Sequence, residues 1–185
     1  MAATPTTQIE LGFKAPEFSL PDTVSGQTLS FDQVKGEMGT LVMFICNHCP
    51  FVVHVIDQLA LMVTDYASKG IRLVAISSND VVNYPQDGPE LMKEFAQQNG
   101  FTFPYLYDES QEVAKQYDAA CTPDFSVFNG EGECVYRGQM DDSRPGNDKA
   151  VDGHSIRAVF DQLITGQDVP SENQLPSIGC NIKWK

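Results

Sequence analysis

Hydrophobic and polar positions change period along this chain, and the changes predict strands that alternate with helices. Residues 40–46 (TLVMFIC) and 71–77 (IRLVAIS) are short runs rich in β-branched and aromatic residues, as is typical of buried strands. Between them, from Pro50 onward, apolar residues recur at helical spacing until Gly70 supplies a stop. The apolar face of this helix comprises Phe51, Val52, Val55, Ile56, Leu59, Val63 and Tyr66. The segment therefore predicts a strand, a helix and a second strand.

The second half of the chain continues the alternation. It predicts a helix at about 90–98, a short helix near 113–117, two strands (125–128 and 134–137) joined by a Gly-rich turn, and a helix at 154–164. This order is typical of a mixed α/β fold with helices on both faces of a sheet. We expect one domain over residues 1–185, with an N-terminal arm at about 1–10 and a C-terminal tail at about 167–185.

The composition narrows the possible partners and surroundings. The 25 acidic and 12 basic residues give a net charge of −13, so nucleic acid and anionic membrane surfaces are poor partners. No apolar run approaches the roughly 18 residues that a membrane span needs. The first residues lack the basic and apolar regions of a secretory signal, so we expect a cytoplasmic protein.

Five cysteines are present, and an odd number in such a chain does not indicate a disulfide scaffold. The informative pair lies in Cys46-Asn47-His48-Cys49-Pro50, where a predicted strand ends and a helix begins. Two thiols at this spacing can form a disulfide, and the N-terminus of a helix favours a thiolate over a thiol. A protonated His48 between them would stabilise the thiolate further. A redox function also requires that solvent reach the two sulfur atoms.

Three interpretations of this motif remain open, and a redox dithiol is the leading one. A zinc site built from Cys46 and Cys49 with His48 or His54 is the second, although the second ligand pair of a usual zinc site is missing. The third is a pair of buried cysteines without chemistry, because cysteine is common in protein cores.

Several segments carry a resemblance to a known family. Residues 12–20 match an opening pattern G-x-x-A-P-x-F-x-L, Gly26–Ser30 resembles the hairpin that follows it, and residues 103–117 resemble a middle segment. With the Cys46–Pro50 motif, they resemble the peroxiredoxin-like (alkyl hydroperoxide reductase/thiol-specific antioxidant) branch of the thioredoxin superfamily. The match to N-H-C-P and to S-I-G-C-x-I-K-W at 177–184 is to one subgroup. The resemblance implies a thioredoxin-like fold: a central mixed β-sheet flanked by helices on both faces, with an N-terminal β-hairpin extension.

The resemblance also implies roles for individual residues. By analogy with thioredoxins, Cys46 attacks a substrate disulfide, Cys49 resolves the mixed disulfide, and His48 tunes the thiolate. Pro123 is expected to be a cis proline that exposes the backbone of Thr122 to a substrate strand. The implied function is that of a thiol-disulfide oxidoreductase with an antioxidant role.

Two other functions are weighed against this one. The first is a peroxiredoxin-like thiol peroxidase that reduces hydrogen peroxide or alkyl hydroperoxides with Cys49 as the peroxidatic residue. Aligned on Cys49-Pro50, however, the family's threonine falls at Cys46 and its proline at Val42, and neither Arg137 nor Arg144 lies in a motif that matches the family's arginine. The second is a non-catalytic thioredoxin-fold binding module.

The remaining predictions concern other thiols and partners. Cys121 and Cys180 are secondary thiol candidates: Cys121 as a further thiol near Cys46, and Cys180 as a resolving thiol or an anchor of the tail. Cys134 is expected to be structural, His54 and His154 to be surface or capping residues, and the acidic run near Asp141-Asp142 and Asp148 to form a solvated loop. No cofactor or metal is expected. The expected partners are a disulfide-containing protein or a small thiol or peroxide substrate, with the thioredoxin or glutathione system exchanging electrons.

Overall fold

A computed structural model describes residues 3–185, so the first two residues of the predicted N-terminal arm lie outside the described residues. The helices are α1 (Phe31–Val34), α2 (Pro50–Tyr66), α3 (Pro89–Gln98), α4 (Glu112–Gln116) and α5 (His154–Ile164). The strands are β1 (Ala3–Pro5), β2 (Ser19–Pro21), β3 (Thr28–Ser30), β4 (Gly39–Phe44), β5 (Ile71–Ser77), β6 (Tyr105–Tyr107), β7 (Cys121–Thr122), β8 (Asp124–Asn129), β9 (Cys134–Arg137) and β10 (Ile178–Asn181).

The central sheet has five strands in the order β6-β5-β4-β8-β9. Strands β4, β5 and β6 run parallel, whereas β8 pairs antiparallel with β4 and with β9, so the sheet is mixed as predicted. Alternate residues of β4 point to opposite faces of the sheet and pack into two separate hydrophobic cores. Leu41 and Met43 pack with α2, α3 and α5, while Val42 and Phe44 pack with α1 and α4. Helices therefore cover both faces of the sheet, as the sequence predicted.

Helix α2 positions the cysteine motif. It begins at Pro50, whose fixed φ suits the first helical position, and Gly70 (φ 82°) ends the chain segment that follows it. The buried side chains of the helix are Val52, Val55, Ile56, Leu59, Met62 and Tyr66. Phe51 and Val63, also predicted to face the core, are only partly buried. The predicted bounds of the helix and of β5 agree with the structure.

The predicted N-terminal hairpin is formed by β2 and β3, which pair antiparallel. A further sheet has the order β1-β10-β7, and the pattern of the tail did not predict it. Its middle strand, β10, pairs antiparallel with β1 on one side and with β7 on the other. The tail is therefore built into the fold next to the loop that carries Pro123.

The prediction of a solvated loop near Asp141-Asp142 and Asp148 agrees with the exposed Asp142 and Asp148 but is wrong for Asp141. This residue is buried, and its carboxylate accepts hydrogen bonds from the backbone N–H groups of Ser143, Asp152 and Gly153 at 2.7–2.9 Å. These bonds hold the segment before α5, so Asp141 organises a loop. Within residues 3–185, no helix combines the length and the apolar character that crossing a membrane requires.

Candidate active site

The two cysteines of the motif lie between the end of β4 and the start of α2. Cys46 follows the last buried residues of the β4 segment, and Ile45 still bonds to the neighbouring strand through its N–H to Ile76 O at 2.9 Å. Cys49 is the N-cap of α2, with extended backbone angles (φ −73°, ψ 123°). Its carbonyl accepts the first intrahelical bonds, from Val52 and Val53 at 3.0 Å. The sequence thus places both sulfur atoms at one helix terminus.

A third thiol completes the cluster. Cys180 Sγ, on β10, lies 2.8 Å from Cys49 Sγ. Cys46 hydrogen-bonds Cys49, and Cys46 Sγ also lies 3.5 Å from Thr122 Oγ1. Cys49 is therefore the middle member of a three-thiol cluster that joins the helix terminus to the tail strand.

The cluster concentrates negative charge on Cys49. The hydrogen bond from Cys46, aided by bonds from Cys180 and the Val52 N–H, lowers the pKa of Cys49 to about 4, although burial opposes this shift. The same shared hydrogen bond raises the pKa of Cys46, with burial and the carboxylate of Asp87 acting in the same direction. The Thr122 carbonyl oxygen, 3.1 Å from Cys49 Sγ, accepts from the thiol form of Cys49 and so favours that form. The net effect is a lowered pKa, so we assign the thiolate to Cys49.

His48 is held by Asp87, a residue that the sequence pattern did not indicate. Its Nδ1 lies 2.7 Å from the buried carboxylate of Asp87, an ion pair when the imidazole is protonated, although the N–H direction falls outside hydrogen-bond geometry. Asp87 also accepts hydrogen bonds from the Asn47 N–H at 2.9 Å and from Asn79 Nδ2 at 2.8 Å. The His48 ring stacks on Tyr84 at 6.1 Å between centroids. Asp87 therefore fixes the dipeptide between the two cysteines.

The structure adds Asp87 as a potential zinc ligand, but the distance between the candidate ligand atoms does not suit zinc. Single ligand atoms of Cys46, His48 and Asp87 lie within 4.8 Å of one another. The His48 and Asp87 atoms are only 2.7 Å apart, however, whereas two tetrahedral zinc ligands at about 2.0 Å from the metal stand roughly 3.3 Å apart. The arrangement fits a histidine–carboxylate pair better than a zinc site.

The Thr122–Pro123 peptide bond is cis, which agrees with the expectation from the resemblance. The backbone edge at Thr122, which was expected to bind a substrate strand, is already paired. Cys180 lies opposite Thr122 and Asn181 opposite Cys121 in the antiparallel pairing of β10 with β7. A substrate strand can take this edge only after β10 leaves it, so docking at Thr122 and Pro123 stays a prediction.

The expectation that solvent reaches both sulfur atoms is wrong for this conformation. Cys46 is 1% exposed and Cys49 is fully buried. Strand β10 covers Cys49 from one side, and the loop that ends at Asp87 is bonded to Asn47 on the other. The sequence could not show this burial, because both covering segments are distant from the motif along the chain.

Other thiols and histidines lie apart from this chemistry. The Sγ of Cys121 contacts Thr6 Oγ1 at 3.9 Å and Pro123 O at 3.5 Å, and burial raises its pKa. Burial also raises the pKa of Cys134 to about 12, in keeping with a structural role. His54 is partly buried, and its Nε2 has no hydrogen-bond partner within residues 3–185, which differs from the surface position expected for it.

The two arginines considered for peroxide activation are bonded elsewhere. Arg137 donates to Ser126 Oγ at 3.0 Å and to Asp118 O at 2.8 Å. Arg144 donates to Gln139 Oε1 at 2.7 Å and to Asp141 O at 2.8 Å. Neither guanidinium group is engaged with the cysteine cluster, so each has a structural role in this conformation.

The charge assignment predicts a pH titration of the reduced protein. Because the pKa of Cys49 is about 4, its thiolate absorbance in the ultraviolet should be present at neutral pH and disappear as the pH falls through that value. Cys49→Ser should remove the signal, whereas Cys134→Ser, a buried thiol of raised pKa, should leave it unchanged. Between about pH 4 and the ordinary thiol pKa of about 8.5, Cys49 is deprotonated in the native state but protonated in the unfolded state. The free energy of unfolding should therefore rise with pH across this range because of Cys49. A thiolate signal that appears only near pH 8.5 would contradict the assignment.

The chain belongs to the AhpC/TSA family, which it matches over residues 11–138. It is 28% identical over 116 residues to a protein of Mycobacterium tuberculosis provisionally named a peroxiredoxin, covering 63% of this chain and 68% of that one. It is 26% identical over 118 residues to the sporulation thiol-disulfide oxidoreductase A of Bacillus subtilis, covering 64% and 68%. These findings confirm the predicted oxidoreductase class, and they fit both a thiol-disulfide oxidoreductase and a thiol peroxidase.

Solved structures confirm the fold. An uncharacterised conserved protein of Geobacillus kaustophilus is 54% identical, with a TM-score of 0.97 and coverage of 100% of this chain and 97% of that one. The thioredoxin domain of a thiol-disulfide oxidoreductase of Bacteroides vulgatus has a TM-score of 0.64 at 17% identity, covering 83% and 99%. The second likeness identifies the fold as thioredoxin-like.

Proposed function

We propose that the protein is a thiol-disulfide oxidoreductase in which Cys46 and Cys49 form the redox-active pair. The observation that supports this most strongly is the position of the two thiols at the start of α2, where their mutual interaction lowers the pKa of Cys49. Two thiols of different acidity thereby lie at one helix terminus, as a dithiol exchange reaction needs. The family membership and the named relatives support the same class of reaction.

The contact defines an order of events. Cys46 attacks the substrate disulfide and passes its proton to the Cys49 thiolate, so that a mixed disulfide forms and the first substrate sulfur leaves as a thiolate. That leaving thiolate takes the proton from Cys49. Cys49 then attacks Cys46 Sγ, the second substrate sulfur leaves as a thiolate, and a Cys46–Cys49 disulfide remains. Two electrons pass from the dithiol to the substrate disulfide.

Access to Cys46 requires a local opening. The partly exposed side chain of His48, of which 22% is accessible, marks the nearest surface. We propose small disulfides and flexible disulfide-containing segments as substrates, with the thioredoxin or glutathione system of a cytoplasmic setting as electron partner. A small thiol or peroxide and an antioxidant role remain part of this proposal. The acidic chain, of net charge −13, disfavours nucleic acid or an anionic membrane as partner.

The reduction potential of the dithiol tests whether the Cys49 thiolate is stabilised. Stabilising the Cys49 thiolate stabilises the reduced protein, so the potential should lie above the value of about −270 mV known for thioredoxin. The measurement is a titration in glutathione buffers with mass-spectrometric mapping of the oxidised cysteines. A potential at or below the thioredoxin value would overturn the charge assignment.

A second candidate, thiol peroxidase activity, is favoured by one observation: the low pKa of Cys49 beside the thiol of Cys180. The two arginines considered for polarising a peroxide, Arg137 and Arg144, are bonded elsewhere, which counts against this candidate. Insulin reduction and hydrogen peroxide consumption by the same preparation distinguish the two. We expect turnover of the disulfide and slow peroxide consumption. Rapid peroxide turnover that survives Cys46→Ser would establish the peroxidase instead, and inactivity in both assays would support a non-catalytic binding module.

A further inference from the structure

Strand β10 holds its cysteine in the position where a substrate cysteine would be expected. In its antiparallel pairing with β7, Cys180 lies opposite Thr122, whose carbonyl oxygen is 3.1 Å from Cys49 Sγ. The Cys180 side chain reaches to 2.8 Å from the same sulfur atom. An extended strand that presents a cysteine to the dithiol beside the cis proline is thus supplied by the chain itself.

The position of β10 is firmly determined by bonds on both sides. Ile182 N donates to Ala120 O at 3.1 Å, and Ser177 Oγ donates to Pro123 O at 2.7 Å. The N–H of Thr6 donates to Ser177 O at 2.8 Å from the side of β1. Cys180 is therefore kept against Cys49 by a paired strand and is not a passing contact of a loose tail.

We propose that Cys180 is a second resolving thiol. It displaces Cys46 from the Cys46–Cys49 disulfide, so that a Cys49–Cys180 disulfide forms in the active site. This inference rests on the proposed function and adds an internal exchange step to it. Cys180 attacks Cys49 Sγ, the sulfur–sulfur bond between Cys49 and Cys180 forms, and the bond between Cys46 and Cys49 breaks. Cys46 leaves with the electron pair and takes the proton that Cys180 gives up. The step needs no further oxidant or reductant.

The charges around Cys180 favour this step after the dithiol is oxidised. In the reduced protein, burial, followed by the hydrogen bond and the charge of Cys49, raises the pKa of Cys180 to about 12. Once Cys49 is part of a disulfide its negative charge is gone, so one cause of that rise disappears. The charge of Lys183 lowers the pKa of Cys180 and continues to do so. Cys180 thus becomes easier to deprotonate when its target has formed.

The exchange would give Cys46 and Cys180 separate functions. Cys46 returns to the thiol form, and the disulfide moves to the tail strand. An electron donor that attacks Cys180 then reduces the protein from the tail strand, without first attacking Cys46. The three-thiol cluster would therefore separate the reaction with substrate from the reaction with the reductant.

Disulfide mapping tests the proposal. The reduced full-length protein is oxidised with hydroxyethyl disulfide, quenched with acid, alkylated under denaturing conditions and analysed by mass spectrometry. We expect Cys49–Cys180 to be the larger share of the oxidised wild type, with Cys46 alkylated, and Cys46–Cys49 to be the product in Cys180→Ser. Cys134→Ser, a buried thiol outside the cluster, should give the wild-type pattern.

The outcomes distinguish failure of the exchange step from failure of the proposed function. A wild type that contains Cys46–Cys49 with Cys180 fully alkylated would overturn the exchange step and leave the proposed function standing. A Cys180→Ser protein that forms no Cys46–Cys49 disulfide would overturn the proposed function itself. A wild type that forms Cys49–Cys180 while Cys180→Ser still forms Cys46–Cys49 would support both.

Discussion

Replacement of Cys46 by serine is expected to reduce the disulfide reductase rate by on the order of 10³-fold or more, the size of effect that loss of a catalytic nucleophile produces. Serine at this position cannot form the mixed disulfide with the substrate that the proposed order of events requires. The measurement is insulin reduction with dithiothreitol as donor, under conditions where the wild type is far above the uncatalysed rate. Cys134→Ser is the matched control, because it also replaces a buried cysteine and should keep the rate within a few-fold.

The complementary variant distinguishes the attacking thiol from the resolving thiol. When Cys49 and Cys180 are both replaced by serine, no neighbouring thiol remains to resolve a mixed disulfide on Cys46. This double variant should therefore accumulate a mixed disulfide between Cys46 and the substrate, which mass spectrometry identifies. Full activity in Cys46→Ser, or a mixed disulfide found on Cys49 in the Cys46→Ser/Cys180→Ser protein, would make Cys49 the attacking residue.

Local sequence patterns determined much of the framework. The bounds of α2, β5 and α5 agree with the predicted segments because each rests on signals within the segment: a proline at a helix start, a glycine after its end, or a continuous apolar run. The cysteine pair was placed at the N-terminus of a helix by the same local signals. Features that a short window of sequence contains were therefore predictable.

The features that decide the chemistry of the site are long-range and were not predictable in this way. Asp87 is 40 residues from Asn47 in the chain, in a loop whose polar composition gave no sign of a buried carboxylate. Strand β10 is short and has no clear periodicity, since both of its edges are paired and its stability comes from β1 and β7. The sequence did not show which of the two cysteines carries the thiolate, and the pKa directions favour Cys49. The main reason is the interaction between the two thiols, which raises the pKa of Cys46 and lowers that of Cys49; the carboxylate of Asp87 further opposes a charge on Cys46.

The glycine before Cys180 offers the strongest test of the covering role of β10. A Cβ added at Gly179 would meet the carbonyl oxygen of Thr122, with the carbonyl carbon at 2.6 Å and the nitrogen of Pro123 at 3.1 Å. These are backbone atoms that cannot rotate away, so Gly179→Ala must move β10 outward. We expect the free energy of unfolding to fall by about 1–3 kcal/mol, the usual cost of overpacking a tight site. Urea unfolding measures this change.

The same displacement should expose the cluster. With β10 moved outward, Cys180 no longer lies against Cys49, so the Cys49–Cys180 disulfide should be lost on oxidation and iodoacetamide should label Cys49 faster in the native reduced protein. Asn181→Ala changes an exposed side chain of the same strand and is the control for general weakening of β10. If Gly179→Ala loses stability but its labelling rate equals that of the wild type, then β10 is not the element that restricts access. If only Gly179→Ala accelerates labelling, the tail strand both covers the thiols and supplies the third one.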